Sequence, residues 1–136
     1  MASGRGRPES AGMTISTLTL AAVALTWLMI MAASMLRTRG DLKVATGNRH
    51  DVPTPTPLAE RADRAAKNML ENLVLFVALV VAVGGRDPAR AQLGAEVFVV
   101  ARVAYWLIYL AGIPVLRTLV WSVGIVGLAI LGSAAL

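Results

Sequence analysis

Apolar residues in this chain fall into four long runs separated by short polar stretches. No charged residue occurs from Thr14 to Leu36, and further apolar runs cover about 66–84, 92–112 and 115–136. The hydrocarbon core of a bilayer takes about 20 residues of α-helix, the length of each run. Backbone polar groups in lipid must be satisfied within their own segment, so the runs predict α-helices. Thr56 followed by Pro57 predicts an N-cap with proline at the first helical position, where its missing N–H costs nothing. The second helix therefore starts near Leu58 in water and runs on into the membrane. The sequence GGRDP at 84–88 stops it. Gly112 and Pro114 leave so short a turn that the third and fourth helices must be antiparallel neighbours. The predicted helices are about 14–36, 58–84, 90–112 and 115–136.

Composition fits this pattern. Of 136 residues, 57% are hydrophobic and 15% charged, where a soluble domain carries about a quarter charged. The mean hydropathy is +0.67. The expected fold is all-α: a single integral-membrane domain, 13–136, forming a bundle of four transmembrane helices. The preceding tail, MASGRGRPESAG at 1–12, is small, polar and expected to be disordered. Arg5 and Arg7 resemble the flank of a signal peptide. The run after them exceeds the roughly 7–15 residues of a signal's apolar region, and Arg37 and Arg39 follow it, so a retained helix is expected. Gly124, Gly127 and Gly132 predict close helix contact in the fourth span.

The same composition excludes several chemistries. There is no cysteine, hence no disulfide or thiolate metal site, and the single histidine, His50, makes no metal site alone. The net charge of +5 is spread over loops with no patch to present it, so no nucleic-acid partner is expected. Charge here predicts topology. Arg37, Arg39, Lys43, Arg49, Arg61, Arg64 and Lys67 cluster around the first loop. By the positive-inside rule the first and third loops face the cytoplasm and both termini lie outside, in a multi-pass protein of the plasma or inner membrane.

Some polar residues enter the membrane with the helices. Arg64, Asn68 and Glu71 stand at i, i+4 and i+7 and share a face, which Arg61 extends outward. Glu71 lies about 20 Å from the helix end at Gly84, at ~1.5 Å per residue. In the third helix Arg102, Tyr105 and Tyr109 share a face in the same way. A charge at such depth costs at least ~2–3 kcal/mol unless paired. A buried Glu71–Arg102 ion pair is therefore expected, within one subunit or across an interface. Such a pair also fixes helix register with no chemistry attached. With Arg61, Arg64, Asn68, Tyr105, Tyr109 and Arg117, however, it would belong to a cationic cluster suited to a small ligand with several carboxylates. The surrounding apolar surface suits a greasy second substrate.

The segments ERADRAAKNMLENLVLF (60–76) and ARVAYWLIYLAGIPVLRTLVW (101–121) carry R-x-x-x-N-x-x-E and R-x-x-Y-x-x-x-Y followed by an arginine. With four spans in this length, they resemble the MAPEG family, membrane-associated proteins in eicosanoid and glutathione metabolism, over roughly 14–136. The resemblance implies a four-helix bundle assembled as a homotrimer, with glutathione as co-substrate bound between subunits on the cytoplasmic side. It implies glutathione-binding roles for Arg37, Arg64, Asn68, Glu71, Tyr105 and Tyr109. Arg117 matches an arginine near the sulfur, and with Tyr109 makes the candidate catalytic pair. A cation beside a thiol favours the nucleophilic thiolate, and arginine is permanently charged. In prostaglandin-isomerising members a tyrosine stands four residues after this arginine. Here Trp121 takes that place, and an indole donates one hydrogen bond but is neither acid nor base. The implied function is a glutathione-dependent membrane transferase or peroxidase for lipophilic electrophiles. The alternative is a non-enzymatic protein of the same fold that binds lipid or a thiol, or acts as a scaffold. Small proton-coupled exporters also have four spans, but need an acid in the first helix, which is absent.

Overall fold

The computed structural model describes residues 13–48 and 52–136. The expected disordered tail and His50 lie outside the described residues. The elements are α1 (Ile15–Arg37), α2 (Leu42–Thr46), α3 (Pro57–Val83), α4 (Pro88–Ala111) and α5 (Pro114–Ser133). All but α2 are long and apolar enough to cross a membrane.

Local chemistry sets the helix ends. The Thr14 hydroxyl accepts from the N–H of Thr17 at 3.3 Å and opens α1. The Thr56 hydroxyl accepts from the N–H of Ala59 at 3.2 Å, with Pro57 in the first turn of α3. Asp87 caps α4 through the N–H of Arg90 at 3.1 Å. Gly112 closes α4 at φ 76°, in the left-handed region where only glycine is unstrained. Pro114 then opens α5. The short α2 was not expected. Asp41 nucleates it by accepting from the N–H groups of Lys43, at 2.8 Å, and Val44, at 3.4 Å.

The most extensive packing joins α4 to α5, and α1 rests chiefly on α3. A Cβ placed on Gly127 would stand 2.7 Å from the backbone nitrogen of Phe98 and 3.0 Å from the carbonyl oxygen of Gly94. The two helix backbones therefore touch, as glycines in membrane helices permit. Gly132 is looser, facing only the Leu79 side chain at 3.3 Å. Leu18 and Met29 of α1, Met69 and Phe76 of α3, Phe98 of α4 and Leu131 of α5 build the core. Phe76 stacks on Phe98 with centroids 4.6 Å apart. Large apolar side chains also cover the outside, among them Leu20, Trp27, Val74, Val81, Val100, Val115 and Leu119. A soluble monomer rarely exposes so much, whereas lipid takes it without penalty.

Candidate functional site

Arg102 is 1% exposed and lies deep in the bundle. Its Nη1 donates to Oδ1 of Asn68 at 3.1 Å, and its Nη2 donates to Oδ1 of Asn72, also at 3.1 Å. The rings of Phe98 and Tyr105 lie 5.1 and 5.5 Å from the guanidinium carbon. Gly124 supplies the room on the α5 side, because a Cβ there would meet Nη2 at 2.7 Å. This glycine accommodates a side chain, unlike the backbone contact at Gly127.

The expected Glu71–Arg102 ion pair does not form within the chain. Glu71 is exposed, and the Arg102 guanidinium has turned to two amides instead. Helix geometry explains the difference. At 100° per residue, Asn68 and Asn72 are 40° apart and both face α4, while Glu71 lies 60° to the other side of Asn68. Asn72 was missed by the sequence reading, although its i, i+4 spacing from Asn68 was the available signal.

Beside this network a polar groove runs between α3, α4 and α5. One part, of about 270 Å³, is lined by Asn68, Tyr105, Tyr109, Arg117, Thr118 and Trp121. A second, of about 200 Å³, shares Tyr109 and Arg117 and adds Glu60, Arg61 and Arg64. The Arg117 guanidinium sits 4.8 Å from the centroid of the Tyr109 ring. Tyr109 in turn meets Tyr105 edge to face at 5.3 Å. Among the described residues, Arg117 has no carboxylate within ion-pair distance and donates to no protein acceptor. Arg64 holds Glu60 loosely, at 3.6 Å on the exposed surface. Arg61 has a structural task, its Nε donating to the carbonyl of Leu110 at 3.2 Å near the end of α4.

The chain thus brings Arg64, Asn68, Tyr105, Tyr109 and Arg117 to one groove. Arg37 and Glu71 are not part of it. Arg37 pairs with Asp63 at 3.7 Å and lines a separate cleft between α1 and α3 with Lys67 and Leu70. Sequence reasoning also passed over Glu96. It accepts a hydrogen bond from Gln92 at 2.9 Å and edges an apolar groove of about 430 Å³ between α4 and α5. No cluster of His, Cys, Asp and Glu suited to a metal occurs among the described residues.

The groove can hold an anion. It offers a guanidinium with free donors, an amide, two phenols and an indole, in a setting where charge-assisted hydrogen bonds are strong. A comparison with protein families gives one match, to the MAPEG family, over residues 17–136. No curated protein and no solved structure matches the chain. The family match covers all of α2 to α5 and all but the first turn of α1, and the chain belongs to the MAPEG family.

Proposed function

We propose that this MAPEG member is a glutathione-dependent membrane transferase or peroxidase acting on lipophilic electrophiles. The observation that carries the reading is the free guanidinium of Arg117, braced by Tyr109 in a polar groove at the level where α3, α4 and α5 meet. Glutathione carries two carboxylates and a thiol. Arg64 and Asn68 suit its carboxylates or peptide carbonyls, and Arg117 suits the sulfur. Arginine holds its charge at any working pH, so it favours the thiolate without exchanging a proton. The Tyr109 hydroxyl donates a second hydrogen bond to the sulfur or to a carboxylate.

In the transferase reaction the thiolate attacks an electrophilic carbon. A C–S bond forms, and a leaving group departs with its electron pair. In the peroxidase reaction the thiolate attacks the outer peroxide oxygen and the alcohol is released. A second glutathione then gives the disulfide and water. Trp121 and Thr118 line the same groove, and the exposed Leu119 beside them offers an apolar approach from lipid. No side chain in the groove matches the acid–base tyrosine of isomerising relatives, since Trp121 stands in its place.

The separation of Arg37 from the Arg117 groove supports a homotrimer with glutathione between subunits. A single ligand touching both arginines has to meet them on different copies. The exposed face of α3, carrying Arg64 and Glu71, suits that contact.

The experiment is turnover of an aryl halide and of a lipid hydroperoxide by purified protein with glutathione. Conjugation or peroxide reduction is expected, with kcat/KM falling about 100-fold in Arg117→Ala, the size of a lost transition-state donor. Binding of glutathione by assembled protein without turnover of either substrate class would favour the non-enzymatic alternative.

A further inference from the structure

We infer that Arg102 is a positioning residue that fixes the side-chain amide of Asn68 with its oxygen inward, so that Asn68 meets a ligand in the groove only as a hydrogen-bond donor. The inference rests on the groove being a ligand site, but not on the ligand being glutathione.

A guanidinium has five N–H donors and no acceptor. The amide atoms of Asn68 and Asn72 that lie 3.1 Å from its terminal nitrogens must therefore be oxygens. The sense of an asparagine amide is usually ambiguous, and here the chemistry of its neighbour decides it. Asn72 is saturated, because its Nδ2 donates to the carbonyl of Asn68 at 2.7 Å. Asn68 is not. Its Oδ1 takes the bond from Arg102 and a longer one, at 3.5 Å, from Asn72, while its Nδ2 has no protein partner among the described residues. That nitrogen is also absent from the buried polar atoms left without a partner, so it remains accessible where Asn68 lines the groove.

Arg102 has little freedom to release the amide. The rings of Phe98 and Tyr105 and the backbone of Gly124 enclose it. Turning the Asn68 amide over would set N–H against N–H where there is no water, and would remove a charge-assisted bond. The groove beside Asn68 therefore presents an outward amide N–H, the Arg117 guanidinium and two phenol hydroxyls. The ligand group it accepts at Asn68 is a carboxylate or an amide carbonyl. An ammonium group, which has donors only, is rejected at that position. If the ligand is glutathione, its α-amino group lies elsewhere.

Asn68→Asp is the discriminating variant. It keeps an oxygen for Arg102, now charged, and removes the outward donor. The experiment is a double-mutant cycle on melting temperature with Asn68→Asp and Arg102→Gln, together with glutathione titration of each assembled variant. Asn68→Asp is expected to melt at or above the wild-type temperature, and to melt lower than its parent in the Arg102→Gln background. Its glutathione affinity is expected to fall more than about tenfold, the loss of a charged hydrogen bond. An equal drop in melting temperature in both backgrounds would overturn the inference, as would unchanged glutathione affinity in Asn68→Asp. If Arg102→Gln does not assemble, Asn68→Asp alone decides, because an aspartate with no cation on its oxygen would lower the melting temperature. The melting cycle needs no ligand. A wild-type protein that ignores glutathione would remove the proposed chemistry and leave the cycle to judge Arg102.

Discussion

Arg102 carries a full charge where the membrane supplies no water, and amides meet it instead of a carboxylate. Its position and its need for partners were legible from one arginine in the middle of an apolar run. The identity of the partners was not, because i, i+4, i+7 spacing defines a face only to within about 60°, enough to exchange Glu71 for Asn72. Removing an acceptor from this cation should be costly. Asn72→Ala is expected to destabilise by about 1.5–3 kcal/mol, the range for a hydrogen bond to a charged group, read by thermal or denaturant unfolding in detergent. Gly124→Ala presses a methyl against the guanidinium and should cost about 1–3 kcal/mol, the usual range for overpacking. Gly132→Ala meets only a flexible leucine and should cost less, which the same unfolding assay checks. Arg117 stands apart from this network, and the proposed chemistry depends on it. With Arg117→Ala the thiol of bound glutathione loses its cation. Its pKa should rise by about one to two units, since an adjacent opposite charge shifts a group by that order. The thiolate absorbance at neutral pH should fall accordingly, and Arg117→Lys should restore part of it.

At the level of elements, the polar groups that interrupt the apolar runs are also the groups that cap the helices. Thr56 with Pro57, and Gly112 with Pro114, were readable because a cap and a fixed φ are local properties of two or three residues. The five-residue α2 was not, because it is too short to show a period and depends on Asp41 accepting two N–H groups. Thr56→Ala is expected to cost about 1 kcal/mol, measurable in the melting temperature. The close approach of α4 and α5 was legible as a set of glycines. The sequence did not show that Gly127 meets a backbone while Gly124 meets an arginine, since both read only as small. Gly127→Leu should prevent the pair from closing and leave little folded protein by size-exclusion chromatography.

For the whole molecule, an apolar exterior encloses a small polar centre, the reverse of a soluble domain. Hydrophobic pattern and length were sufficient to anticipate four membrane helices, because the bilayer imposes the same requirement on each. Orientation depends on the unequal distribution of lysine and arginine between loops, and the lack of cysteine makes it simple to test. In intact cells, an impermeant maleimide should label Ala89→Cys from outside and leave Thr46→Cys unlabelled until the membrane is opened. The grouping of Asn68, Tyr105, Tyr109 and Arg117 was legible from two helical faces. The absence of Arg37 from their groove was not, because sequence does not show how α1 is placed around α3. The central claim is that this groove binds glutathione, and the most direct measurement is calorimetric titration of the detergent-purified, assembled protein with glutathione, alongside Arg64→Ala and Arg117→Ala. Saturable binding by the wild type, weakened at least about tenfold in each variant, is the predicted result. No heat of binding to well-assembled wild-type protein, or equal affinity in all three, would contradict it.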